Sequence, residues 1–186
     1  EQYIPKLFQL LKNHSFEYQL DFYFSDSQDD EIKNFIINVK NKESIDQENL
    51  SLFINSENNI FQCLQKNNNL VATTLISKLD KQDDIFYLEI LDCEFGPDSN
   101  FGTFKIASDY FYNLLNEYSI SYKADFLNSD SSSRNFYWHN FFNSSTDRDN
   151  FYASWIDSED SIEIKDLFSD QSECFSSNSY IGYKVF

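Results

Sequence analysis

Ile85-Phe86-Tyr87-Leu88-Glu89-Ile90-Leu91 is the stretch on which the fold turns. A run this apolar cannot face water on both sides, so it predicts a central strand of a sheet covered on both faces. Gly96-Pro97-Asp98 follows and breaks it. Beyond the break, Phe104, Ala107, Phe111, Leu114 and Leu115 fall on one face at helical spacing, which predicts a helix over 103–117. Ile120–Phe126 reads as a further strand and Ser131–Phe142 as a helix carrying Phe136, Trp138 and Phe141. Phe151–Ile156 and Tyr180–Phe186 read as closing strands around an acidic, Ser-rich stretch.

Upstream, Phe16, Tyr18, Leu20, Phe22 and Phe24 alternate with more polar residues, the period of a half-buried strand. Ser27 and Asp30 resemble a capping box, and Ile32, Phe35, Ile36 and Val39 follow at helical spacing, so a helix is expected there. Ile4, Leu7, Phe8 and Leu11 predict a short amphipathic helix. Residues 41–59 fit a short helix or a loop equally well. Ile60–Gln65 and Leu70–Ser77 flank an Asn-rich turn and read as a hairpin, because Asn tolerates the positive φ of such turns. The order of elements predicts one domain over 1–186: a mixed α+β fold with a mostly antiparallel central sheet and helices on both faces.

Composition supports a packed domain. Of 186 residues, 41% are hydrophobic and 18% aromatic, with 20 Phe, 12 Tyr and no Met. That content excludes simple disorder. The formal charge is −17 and the pI about 4.2, which argues against direct contact with a nucleic-acid backbone or an anionic membrane. It favours a small cationic amine or a basic protein as partner. Two histidines are too few for a His-based metal centre, so no metal is expected. No apolar run has the length of a membrane span and no signal-peptide pattern is seen. Cys63, Cys93 and Cys174 are read as buried thiols of a reducing compartment, and the expected location is cytoplasmic.

Asn67-Asn68-Asn69-Leu70-Val71-Ala72-Thr73-Thr74-Leu75 and Tyr87-Leu88-Glu89-Ile90-Leu91-Asp92-Cys93 resemble the second and fourth strands of the GNAT N-acetyltransferase superfamily. Pro97-Asp98-Ser99-Asn100-Phe101-Gly102-Thr103-Phe104 stands where that family has its pyrophosphate loop. Asp130–Phe142 resembles its last helix. The resemblance covers roughly 16–142. Within it, Ser99 replaces the loop's basic residue and Phe104 its second small residue. The resemblance implies acetyl-CoA as cofactor, bound by Leu91, Cys93, Asn100, Phe101, Gly102 and Thr103, with backbone N–H groups aimed at phosphates. It implies Tyr137 as general acid and Glu89 as general base, with Glu94 or His139 as other bases. Each has a plainer reading: Gly102 as a turn glycine, Tyr137 as one aromatic among many, Glu89 as a solvent-facing strand residue, His139 as a structural histidine.

Two functions follow from this reading. The first is acyl transfer from acyl-CoA to a primary amine of a cationic acceptor. The second is a non-catalytic acidic protein of immunity or antitoxin type that neutralises a basic toxin or nuclease. Asp147, Asp149, Asp157, Glu159 and Asp160 lack the spacing of a calcium loop and read as a solvated surface. Trp138 and Trp155 read as core or interface anchors.

Overall fold

The computed structural model describes residues 19–26, 35–40, 70–79, 81–118, 120–129 and 133–184. The expected elements at 4–11, 41–59 and 60–65, and Cys63, lie outside these. Seven strands form one antiparallel sheet: β1 (Gln19–Ser25), β2 (Phe35–Lys40), β3 (Val71–Ser77), β4 (Ile85–Phe95), β5 (Lys123–Asn128), β6 (Asn135–Phe142) and β7 (Ser172–Lys184). Their order is β2-β1-β7-β4-β6-β5-β3. The apolar run Ile85–Leu91 therefore lies in the middle strand, flanked by β7 and β6. Three helices complete the described fold: α1 (Phe101–Glu117), α2 (Ser145–Asp157) and α3 (Asp160–Gln171). The mixed α+β fold and its single domain are as the sequence predicts.

The three described helices share one face of the sheet, so the expectation of helices on both faces is corrected among the described residues. Phe104, Phe111, Leu114 and Leu115 of α1, Phe151 of α2 and Ile164 of α3 join Phe95, Phe126, Phe136 and Phe142 of the strands in one core. Rings replace the absent methionines as filler. Phe136 stacks on Phe95 at 4.5 Å between centroids and meets Phe104 edge-on at 5.1 Å. Each such ring removes enough surface from water to contribute about 1.5–3 kcal/mol. On the opposite face Tyr23, Phe86, Leu88 and Phe141 form a second cluster. Both faces of β4 are thus covered, as its composition requires.

α1 begins where the Gly96-Pro97 break predicts. Asn100 caps it: its side chain accepts from the Gly102 N–H at 2.8 Å and the Thr103 N–H at 3.3 Å, while Thr103 Oγ1 accepts from the Asn100 N–H at 3.1 Å.

Four further expectations are corrected. Residues 35–40 are not helical but pair with β1 as β2. The apolar spacing there also suits a strand, and Ile36, Ile37 and Val39 are β-branched. The stretch expected as a helix over 131–142 contains strand β6. The closing strand expected at 151–156 is the second half of α2, capped by Ser144, whose hydroxyl accepts from the Asp147 N–H at 3.0 Å. Cys93 and Cys174 are not thiols but a disulfide across β4 and β7, 81 residues apart in sequence. Strand register brings them face to face, at a bulge that leaves Phe175 as the extra, exposed residue of β7.

Candidate active site

Alternation along β4 sends Phe86 and Leu88 to one face and Tyr87, Glu89 and Leu91 to the other. Glu89 thereby lands among the aromatics beneath the helices. A cavity of about 290 Å³ lies there, between the sheet and α1, α2 and α3. Phe104, Phe111, Tyr122, Trp138, Phe151, Tyr152, Trp155 and Phe168 supply most of its wall, with Leu91 and the Cys93–Cys174 disulfide on the strand side. Ser169 and Cys174 line it and are solvent-exposed, so the mouth lies between the end of α3 and the start of β7.

One end of this cavity is polar. Glu89 stands opposite Asn140 of β6 in register. Asn140 Nδ2 donates to Glu89 Oε2 at 2.9 Å, and the Tyr152 hydroxyl donates to the same oxygen. Ser177 Oγ donates to Glu89 Oε1 at 2.6 Å. Behind Asn140, its Oδ1 accepts from the Tyr122 hydroxyl at 2.6 Å and from the Trp138 indole N–H. Three elements, β6, α2 and β7, thus hold one carboxylate through neutral donors. Burial first, and the Glu89 charge second, push the Tyr152 phenol far above its ordinary range. Burial does the same to Tyr122. Both remain protonated donors at neutral pH. Arg148, one turn before Tyr152, is engaged elsewhere: it pairs with Asp26 at 3.5 Å and with Asp149 at 3.4 Å, and lies over the Tyr87 ring.

The residues singled out in the sequence divide around this cavity. Glu89, Leu91 and Cys93 line it. Tyr137 does not: it pairs with Asp92 in register and belongs to the face opposite Trp138 and Asn140. Glu89 and Tyr137 therefore lie on opposite faces of the sheet. His139 shares Tyr137's face, where its ring packs edge-on against Phe141. Glu94 pairs with Arg134 at 3.1 Å. The N–H groups of Gly102 and Thr103 are taken by the Asn100 cap, Phe101 packs against Phe126 at 4.8 Å, and Phe104 turns into the core. No cluster of potential metal ligands occurs among the described residues. Sequence reasoning missed Tyr122, Asn140, Tyr152 and Ser177. The signal for Asn140 was its two-residue offset from Trp138 in an aromatic strand; Tyr152 and Ser177 carried none.

Comparison with known proteins bears on the fold alone. No family model and no curated protein matches the chain. A Lactobacillus acidophilus NCFM protein, described as a "putative monooxygenase", shares the fold with a TM-score of 0.52 and 11% identity. The match covers 100% of this chain and 89% of that one. This likeness overturns the expected membership of the GNAT superfamily and, with it, the acyltransferase function; the acidic immunity or antitoxin alternative finds no support either. The physical reason lies in β6. The stretch that resembled the last acyltransferase helix is an internal strand, so the apparent order of elements was wrong. The expectation of acetyl-CoA had no basis beyond that resemblance. No helix among the described residues is long and apolar enough to cross a membrane.

Proposed function

We propose that the chain is a small-molecule-binding domain whose ligand occupies the cavity beneath α1, α2 and α3. The observation that carries this reading is the convergence of Glu89, Asn140 and Tyr152 at one end of an otherwise aromatic cavity. Small-molecule sites have this composition: apolar walls for affinity, a few placed polar groups for orientation. In this reading the ligand's ring or chain packs against Phe111, Trp155 and Phe168, and its polar end meets Glu89. Glu89 is the group available to accept a proton from the ligand, and Asn140 and Tyr152 hold its carboxylate in place. The Cys93–Cys174 disulfide supports a compartment where disulfides persist, in place of the cytoplasm.

Trp138 and Trp155 both line the cavity, so occupancy reports on itself through their fluorescence. A fragment panel of small aromatic compounds is expected to quench or shift that emission saturably. Ser169→Trp, placed at the mouth, is expected to abolish the response and leave the melting temperature within a few degrees of the parent. A response that survives the plugged mouth would move the ligand elsewhere and refute the reading.

The description of the Lactobacillus protein supplies a second reading, favoured by the coextensive fold. Here a CH2 group of the bound molecule is oxidised to a carbonyl by dioxygen, the substrate supplying all four electrons, with one oxygen atom retained and the other released as water. Oxygen uptake that starts on adding a binder and stops in Ser169→Trp supports it; binders that never raise uptake above buffer remove it.

A further inference from the structure

Glu89 is half-buried, yet every partner it has among the described residues is neutral: an amide, a phenol and a hydroxyl. Taking a carboxylate even partly out of water with no counter-charge is costly, and neutral hydrogen bonds offset only part of that cost. A carboxylate offers about four acceptor positions, and three are filled. The cation nearest in sequence to this cluster, Arg148, is held by Asp26 and Asp149. What remains beside Glu89 is an open acceptor position in a cavity walled by ring faces. Those faces carry negative potential, and a desolvated cation gains from them. A second carboxylate would meet repulsion from Glu89 at short range and from the formal charge of −17 at long range.

Resting on the small-molecule reading above, we infer that the ligand is a small organic monocation, an arylalkylammonium with at least one N–H to give to Glu89. The N–H fills the vacant acceptor position, the positive charge compensates the carboxylate, and the aryl body packs among Phe111, Trp155 and Phe168. The cavity volume of about 290 Å³ sits at the small end of ligand sites, which suits one ring and a short chain. A purely structural Glu89, bracing β4 to β6, β7 and α2, would show no such charge preference.

Three probes of nearly equal shape separate these possibilities: phenethylammonium, 2-phenylethanol and 3-phenylpropionate, titrated into the full chain by calorimetry at pH 7. The wild type is expected to bind the ammonium about 10- to 100-fold more tightly than the alcohol, the range of a hydrogen bond to a charged group, and the carboxylate least. Glu89→Gln is expected to erase the preference. Tyr152→Phe keeps the carboxylate and is expected to retain it, which guards against a Glu89→Gln chain that fails to fold. Equal binding of ammonium and alcohol by the wild type overturns this inference and leaves the small-molecule reading standing. Failure of all three probes to bind at 10 mM overturns both.

Discussion

Breaking the Cys93–Cys174 bond by Cys174→Ser tests the largest departure of the structure from expectation. The bond closes a loop across 81 residues of sequence. In the chain-entropy account, opening a loop of that length returns about 15 cal/mol/K to the denatured state, or about 4.5 kcal/mol at 25 °C. Residual order in the denatured chain reduces the effect, so a loss of about 3–4 kcal/mol is expected. The native side changes little, because β4 keeps its ladder with β7 on both sides of the bulge. With a urea m-value of about 2 kcal/mol/M, the midpoint should fall by about 1.5–2 M. Urea unfolding followed by tryptophan fluorescence measures this directly, and reduction of the wild type with a phosphine should reproduce it. Thiol titration in denaturant provides the independent count: one thiol per chain before reduction and three after. Three thiols before reduction, or a midpoint indifferent to reductant, would refute the cross-strand bond and restore the buried-thiol reading.

Three other outcomes follow from the packing and titration of named groups. Gly182→Ala should cost about 1–3 kcal/mol, because a Cβ there would lie 2.3 Å from the ring of fully buried Phe86; Phe86→Leu in the same chain should recover part of the loss in melting temperature. Burial raises the Tyr23 and Tyr122 phenols, so the unfolded chain releases their protons first as pH climbs past about 10. Their contribution is complete below that pH and should decline above it by about 1.4 kcal/mol per pH unit for each tyrosine, a slope that Tyr122→Phe should reduce in urea titrations between pH 9.5 and 11. Asn100→Ala should cost about 1 kcal/mol and Asn100→Gly only a few tenths, read from thermal melts, since the cap serves the first turn of α1 and nothing beyond it.

The parts of the fold legible in the sequence were those where one periodicity had no competitor. Ile85–Leu91 is too short and too apolar for a surface helix, and it became β4. Phe104, Phe111, Leu114 and Leu115 repeat at helical spacing over polar gaps, and they became the buried face of α1. Period failed where burial is nearly complete. From Phe136 to Phe142 the chain buries all but one residue, so apolar positions fall on every face at once and fit either template. It failed again where burial is sparse. α2 and α3 each present little more than one apolar pair four residues apart, Phe151 with Trp155 and Ile164 with Phe168, set among serines and acids. The disulfide was beyond sequence reasoning of this kind, because only the pairing of β7 beside β4 makes Cys93 and Cys174 neighbours.

The same error propagated into the chemistry, and it did so through parity. As a helix, residues 131–142 would have offered Tyr137 as a partner for Glu89. As strand β6 they assign sides by odd and even number, and the register fixes which side Glu89 shares. Asn140 lies directly opposite Glu89, so Trp138, two residues along, shares its face and Tyr137 cannot. A tyrosine that meets Glu89 has to come from above the sheet instead. α2 supplies it: Ser144 caps the helix, Phe151 anchors it in the core, and Tyr152 is left beside the cavity with its hydroxyl on the carboxylate. An Asn140→Asp substitution probes this arrangement more sharply than any change at Tyr137. It sets a second acid against Glu89 while Trp138 and Tyr122 can still donate to its oxygens. Two carboxylates this close cannot both ionise at neutral pH, so one proton should be retained and stability should fall as pH rises from 5 to 8. Tyr137→Phe, on the other face, should leave that pH profile flat. A flat profile for Asn140→Asp would mean that Glu89 and residue 140 do not share a face, and the cavity as described would not exist.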